Sequence, residues 1–341
     1  MGGRGLSVQR RNIHASSATD WRSFRFIDVF AGIGGMRLAF ERVGGICVFS
    51  SEWDAAAQRM YRANFGEQPH GDITQIPPES IPDHEVLLAG FPCQPFSILG
   101  DRKGFEDTRG TLFFDLERIL SAKQPEALLL ENVKMLKTHD NGRTYKVIIQ
   151  HLEQLGYTTY TAILNALDFG LPQKRERTFI VGFKQSIHFA FPRPCNTAIS
   201  LLEVLEPEDA LPHSLYASEQ IIQSRREKAK MEPFYPSIWH ENKGGNISIL
   251  PYSCALRAQA SYNYLLVNGV RRLSGREMLR LQGFPETFKI VVPYSELRKQ
   301  VGNSVAVPVV QAIAEAMIDA LQQAQIVSSV KQEELFPSEA I

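Results

Sequence analysis

Short apolar runs recur along the first half of this chain, each stopping at a glycine or an acid. Phe26-Ile27-Asp28-Val29-Phe30 leads into Ala31-Gly32-Ile33-Gly34-Gly35, and residues 46–50 lead into Ser51-Glu52-Trp53-Asp54. Residues 86–89 stop at Gly90, and Ala127-Leu128-Leu129-Leu130 stops at Glu131. Apolar runs of this length between turn residues predict buried strands. Helical spacing fills the gaps. Met36, Ala39, Phe40 and Val43 share one face, and Leu112, Phe113, Leu116 and Leu120 share another behind Thr111, a capping residue. A further strand is expected over 178–183. An amphipathic helix over 305–322 carries Val309, Ile313, Met317 and Leu321. Strands alternating with helices predict an α/β fold built on a parallel sheet, with ligands at the carboxyl ends of its strands.

The closing helix has to pack back on that sheet, so residues 191–270 are expected to form an inserted smaller domain between 24–190 and 271–324. Residues 1–23 are an N-terminal extension, and the tail over 325–341, with Lys331-Gln332-Glu333-Glu334, is expected to be disordered.

Composition narrows the function classes. With 341 residues, 44% of them hydrophobic, the chain can bury a large core. Its 37 basic and 37 acidic residues cancel, so any nucleic-acid binding must come from local patches. No apolar run approaches the ~18 residues of a membrane span. The leading residues hold Arg4, Arg10, Arg11 and Arg22 against one acid, Asp20, a weak likeness to a transit peptide that a ragged tail or an early start explains better. Cys47, Cys195 and Cys254 fit packing, with no metal or redox spacing; a reducing, cytoplasmic setting and no metal are expected.

Cys93 stands apart. In Gly90-Phe91-Pro92-Cys93-Gln94-Pro95-Phe96-Ser97 a thiol is delivered at the end of a buried strand, between prolines that stiffen a non-helical loop. That is presentation suited to a nucleophile. A glycine- and charge-rich segment over 100–110 follows, expected to be a mobile loop. Glu131, at the end of an apolar run, should be desolvated and so biased toward its protonated, hydrogen-bond-donating form. In Leu171-Pro172-Gln173-Lys174-Arg175-Glu176-Arg177, strand-like alternation would put Arg175 and Arg177 on one face, able to grip phosphate or a base carbonyl and to favour a nearby thiolate.

The first strand, glycine turn and helix form a nucleotide-cradling unit. Arg37 stands where a dinucleotide fingerprint needs a third glycine, which disfavours NAD. Glu52 follows Gly32 by about twenty residues, the offset at which an acid meets ribose hydroxyls in such folds. Trp53 beside it can stack on a purine, and Gly71-Asp72-Ile73 supplies another acid where a third strand would end. Without a phosphate-binding lysine motif, S-adenosylmethionine is the best candidate cofactor.

These motifs together resemble the DNA cytosine-5-methyltransferase family, particularly its compact bacterial modification enzymes. The likeness extends to Arg109-Gly110-Thr111-Leu112-Phe113, Glu131-Asn132-Val133, Arg276-Glu277, Leu281-Gln282-Gly283-Phe284-Pro285 and Gln300-Val301-Gly302-Asn303-Ser304-Val305. It implies a Rossmann-like S-adenosylmethionine-dependent methyltransferase sheet with an inserted target-recognition domain. It also implies that Cys93 adds to cytosine carbon 6, that Glu131 bonds ring nitrogen 3, and that Arg175 and Arg177 engage the base and its surroundings. Phe30, Gly32, Gly34, Gly35, Glu52, Trp53, Asp72, Ile73, Pro92, Leu112, Asn303 and Ser304 would surround the cofactor. The base must leave the duplex to react. Double-stranded DNA is the expected partner, with Gln94 and Ser97 beside it, and a cognate restriction endonuclease as a functional counterpart to a monomeric enzyme. In the insert, Arg257 and Gln259 are the expected base readers, since such side chains can bond guanine and adenine edges; Ser224-Arg225-Arg226-Glu227-Lys228-Ala229-Lys230 reads better as a solvated helix face. Methylation of transfer RNA, carried out by one branch of the same family, and a non-catalytic DNA-binding regulator are the competing readings.

Overall fold

The computed structural model describes residues 19–91, 112–195, 197 and 199–335. Its central sheet has the order β2-β1-β3-β4-β7-β5, formed by β1 (Phe24–Val29), β2 (Gly45–Ser51), β3 (Val86–Gly90), β4 (Ala127–Val133), β5 (Thr158–Asn165) and β7 (Glu176–Phe183). The two-residue β6 (Gln173–Lys174) lies just before β7. Strands β1 to β4 are mutually parallel, whereas β7 runs antiparallel to both β4 and β5. The sheet is thus parallel over β1 to β4, as expected, and reversed at β7. Reversal has a consequence: residues that precede β7 arrive at the edge where β1 to β4 end, with Val133 in register with Arg177.

Alternate side chains of each strand enter different cores because a strand presents its residues to two faces. Phe26, Val86, Leu88, Leu129 and Val181 join one cluster, covered by α1 (Gly35–Glu41), α2 (Ala55–Phe65) and α9 (Val307–Leu335). Ile27, Leu87, Leu128, Leu130 and Ile180 join the second, covered by α3 (Leu112–Lys123) and α4 (Arg143–Gln154). Each such buried aliphatic side chain contributes roughly 1.5–3 kcal/mol. Sandwiching on both faces explains why the strands read as continuous apolar runs.

The chain then leaves the sheet. After α5 (Leu201–Val204) and α6 (Glu219–Lys228), the strands β8 (Ile238–Glu241), β9 (Ile247–Leu250) and β11 (Leu265–Val267) make an antiparallel sheet of order β11-β8-β9. One face of it packs Trp239, Ile249 and Leu266 with Ile222. The other sends Ile238, Leu265 and Val267 into the main core. Strand β10 (Ser253–Cys254) pairs in parallel with β6. A buried Arg271–Glu277 pair at 2.9 Å marks the return into α7 (Gly275–Leu281), which opens on a capping box at Ser274. Next come α8 (Tyr294–Asn303) and α9.

Helix α9 continues to Leu335, so the disorder expected after Ala324 is not found over that stretch. Residues 294–328 are long and apolar enough by composition to cross a membrane, but 67% of their most apolar stretch is buried inside the protein. That is the signature of a core helix, and it is the helix expected to return to the sheet.

Candidate active site

The turn after β1 places Phe30 at φ 60°, Gly32 at φ 57° and Gly34 at φ 84°, left-handed conformations that suit glycine and strain Phe30. A side chain added at Gly32 would meet nothing within 4 Å among the described residues. A β-carbon at Gly35 would lie 2.9 Å from Ser304 Oγ and from Val305 Cγ2, which is how closely the return segment approaches this turn.

Glu52 is buried behind the turn at 8% exposure. Its two oxygens accept the backbone N–H groups of Gly32 at 2.8 Å and of Asp54 at 2.7 Å. Burial pushes its carboxyl above the usual range, and these N–H bonds pull back without cancelling that. Trp53 next to it is 80% exposed, an indole face in solvent at the mouth of the sheet. Asp72 does not end a strand: it is exposed and caps a 3-10 turn over Ile73–Gln75, accepting Thr74 N–H at 3.0 Å, while Ile73 is buried. Two-residue bridging of Ser51 to His70 is all that remains of the strand expected there. Arg118 on α3 fixes that turn through the carbonyls of Ile76 at 2.8 Å and Ile73 at 3.1 Å. Leu112 opens α3, half-buried.

Asn303 and Ser304 approach the glycine turn from the end of α8, Asn303 exposed and Ser304 buried. The oxygens Ser304 Oγ and Ser51 Oγ are buried without a hydrogen-bond partner among the described residues.

Glu131 occupies the neighbouring end of the sheet, in register with Gly90 and Phe179. Its Oε2 lies 3.6 Å from where a β-carbon on Gly90 would stand, three residues before Cys93. Arg177 Nε meets Glu131 Oε1 at 3.0 Å. Burial drives the Glu131 carboxyl upward, and the Arg177 and Arg175 charges oppose it only in part, so the desolvation expected from the sequence is present. Asn132 donates to the Phe91 carbonyl at 2.9 Å, anchoring the chain as it leaves β3 toward the thiol. Pro92, Cys93, Gln94, Ser97, Thr111 and the loop expected over 100–110 lie outside the described residues.

Arg175 is more deeply buried than Arg177. It is 3% exposed and donates to the carbonyls of Leu256 at 2.9 Å, Gly302 at 3.2 Å and Ser304, while its charge also bears on Glu131 and Arg177. Gln173 and Lys174 pair with β10, and β7 begins only at Glu176, so Arg175 lies between the two ladders. Arg175 is a clasp between the insert and the end of α8.

Arg257 and Gln259 are exposed on the connection between β10 and β11, with the Arg257 guanidinium 4.7 Å from the Tyr264 ring centre. At Gly302 a β-carbon would come within 2.4 Å of the Ala258 nitrogen; only glycine lets this connection lie on α8. Arg225, expected in a solvated face, is 2% exposed and donates to Glu241 at 3.1 Å and to the Trp239 carbonyl at 3.4 Å.

Several positioning residues escaped sequence reading. Gln173 is fully buried, donating to the Leu281 carbonyl at 2.7 Å and accepting Leu256 N–H at 3.0 Å. Asp54 caps α2 through Ala56 and Ala57 and also binds Lys299 and Gln300. An acid directly before Ala55-Ala56-Ala57 was a legible cap signal, but its second partners come from the far end of the chain.

Residues 24–319 match the family model described as C-5 cytosine-specific DNA methylase. The chain belongs to that family. The methylase is 60% identical over 303 residues to the Type II methyltransferase M.HaeII of Haemophilus aegyptius, covering 89% of this chain and 95% of that protein. It is 61% identical over 289 residues to the Type II methyltransferase M.NgoBI of Neisseria gonorrhoeae, covering 85% and 91% respectively. Among solved structures, the S. pombe Dnmt2 methyltransferase superposes with a TM-score of 0.69 at 19% identity, over 88% of this chain and 99% of that one. The Entamoeba histolytica methyltransferase EhMeth gives 0.66 at 16% identity, over 88% and 99%. At such identities these two structures speak for the fold, which is the Rossmann-like α/β methyltransferase sheet expected from the sequence.

Proposed function

We propose that this methylase transfers a methyl group to carbon 5 of cytosine at a defined site in duplex DNA, as a Type II modification methyltransferase. The observation that carries the reading is the Glu131–Arg177 pair, 3.0 Å apart beside Gly90, on the sheet edge it shares with the glycine turn.

The ring formed by Phe30, Gly32, Gly34, Gly35, Glu52, Trp53, Asp72, Ile73, Leu112, Asn303 and Ser304 fits S-adenosylmethionine. The clearance at Gly32 among the described residues, the exposed Trp53 indole and the unpartnered Ser304 hydroxyl support that fit; Pro92 would complete it. Bound there, the cofactor supplies a methyl group activated by its sulfonium. Glu52, tied to two backbone N–H groups, keeps lone pairs free for ribose hydroxyls, and Trp53 offers a stacking face.

Carbon 5 of cytosine is a poor nucleophile until its ring loses aromaticity. Cys93 would add through sulfur to carbon 6, and Glu131, biased toward its protonated form by burial, would donate to ring nitrogen 3 as charge accumulates there. Arg177 orients that carboxyl and faces the same space. Carbon 5, made nucleophilic by that addition, would take the methyl group, and loss of its proton would then break the carbon 6–sulfur bond and free the thiol. An unperturbed thiol is only about 3% thiolate at pH 7, so positioning must supply most of the rate. The base has to be flipped from the stack, which costs a few kcal/mol.

Residues 191–270 would supply target recognition, with Arg257 and Gln259 reading bases and Gln94 and Ser97 lying close to the DNA. Arg175 would act by holding that part to α8 and not by touching substrate. A cognate endonuclease would be its functional counterpart in the bacterial cell, and a monomer suffices. Duplex DNA carrying 5-fluorocytosine at the target should become covalently attached at Cys93 in the presence of cofactor. Methyl transfer to transfer RNA alone would overturn the reading, as would cofactor and DNA binding without turnover.

A further inference from the structure

Between the β10–β11 connection and helices α7 and α8 lies a recess lined by Arg257, Arg272, Arg298, Tyr262, Tyr264 and Tyr294. Its floor is apolar, with Leu273 and Met278 buried beneath the rings. Arg272 and Arg298 flank the Tyr262 ring at 5.8 and 4.2 Å from its centre, Arg257 covers Tyr264 at 4.7 Å, and Tyr262 stacks toward Tyr294 at 6.4 Å.

The charge inventory is lopsided. Several other arginines of this region have an acid: Arg225 has Glu241, Arg271 has Glu277, and Arg276 and Arg280 share Glu286. Arg257, Arg272 and Arg298 have no carboxylate partner among the described residues. Arg298 spends two donors on the carbonyls of Ser261 at 3.2 Å and Ala260 at 2.8 Å, and Nε of both Arg272 and Arg298 is buried without a partner. Unspent guanidinium donors converging on one recess match a phosphate, whose oxygens accept a planar fork of N–H groups. A carboxylate-bearing protein surface would need several acids at this spacing, whereas a nucleic-acid backbone brings an anion at every residue. Beside the recess, on the same connection as Arg257, is Gln259.

From this juxtaposition we infer that Arg272 and Arg298, beside Arg257 in the recess, seat a backbone phosphate of the duplex next to the bases that Arg257 and Gln259 read. Both come from the segment that returns to the sheet, so the DNA surface extends beyond residues 191–270. The tyrosine faces hold the guanidiniums in place, which lowers the entropy lost when the phosphate arrives. The inference rests on the proposed duplex-DNA substrate.

The test is the salt dependence of binding, by fluorescence anisotropy, to a duplex carrying the cytosine that methylation mapping identifies. Removing one arginine–phosphate interaction should reduce the slope of log affinity against log salt by about 0.9. Arg272→Gln and Arg298→Gln should each give that shallower slope, and Arg298→Lys should retain the wild-type slope because its charge remains. A single methylphosphonate at the seated position should weaken wild-type binding several-fold and leave Arg272→Gln unaffected, a readout that does not depend on Arg298 supporting its loop. Weaker binding of the glutamine variants with unchanged slopes would assign these arginines to loop support and overturn the inference. Failure of the wild-type protein to methylate the duplex would instead overturn the proposed function.

Discussion

Lys299 on α8 donates to Asp54 across 2.6 Å, and Gln300 reaches the same carboxylate at 2.8 Å. Asp54 also accepts Ala56 N–H and Ala57 N–H at the start of α2. One carboxylate thereby joins the Glu52-Trp53 segment to the α8 turn that ends at Asn303-Ser304. Burial raises its pKa, and the Lys299 ammonium with the two N–H groups outweighs that and holds it below the ordinary value. Asp54→Ala should lower unfolding free energy by about 1–2 kcal/mol, mostly through the lost cap. Lys299→Met should lower it by no more than about 0.5 kcal/mol, since Lys299 is half exposed and the pair is screened. Both should raise KM for S-adenosylmethionine more than they lower kcat, as measured by steady-state methyl transfer.

Glu131→Gln keeps the shape of the side chain and can still donate, but it cannot supply a proton as charge moves onto the ring. Turnover should fall by about a hundredfold or more, the range for a lost acid–base group. DNA affinity measured by anisotropy should stay within a few-fold of wild type.

Arg175→Met would leave the carbonyls of Leu256 and Gly302 without this donor and Ser304 with only the Gln282 amide at 3.5 Å. At roughly 1–3 kcal/mol for each orphaned group, a loss of about 3 kcal/mol or more is expected in urea unfolding. Arg175→Lys should recover part of it. A residue acting only on substrate would change turnover with no such loss.

Asp28 sits in β1, 1% exposed, with Oδ2 lacking a partner among the described residues. Burial pushes its pKa from 3.8 to about 7, against the lowering effect of Arg37. The unfolded chain therefore gives up this proton first. Below about pH 4 both states hold it and the carboxyl carries no penalty; between there and about pH 7 the native state is progressively destabilised. Asp28→Asn removes that dependence. Relative to wild type it should gain stability between pH 4 and pH 8, by up to about 4 kcal/mol, in urea unfolding followed at both pH values.

Apolar runs alone specified the strands β1 to β4, the helices α1 and α3 and the return of the last helix, because burial on two faces leaves a continuous hydrophobic signature. Local chemistry was equally legible at Glu131, where an acid closing such a run is desolvated whatever its neighbours, and at the glycine turn, where positive φ requires the residue type seen. Tertiary structure decided what spacing could not carry. Arg175 and Arg177 are two residues apart and share a charge, yet one donates to carbonyls of the insert and of α8 and the other pairs with Glu131, because their partners come from distant segments of the chain. Arg177 reaches the active edge only because β7 reverses direction. Asp54 gains its second role from residues nearly 250 positions later, and Ser304 meets Gly35 the same way. Periodicity records which side chains avoid water over a few neighbouring positions; strand direction and long-range partners are set by how distant segments close on one another, and no local pattern encodes that.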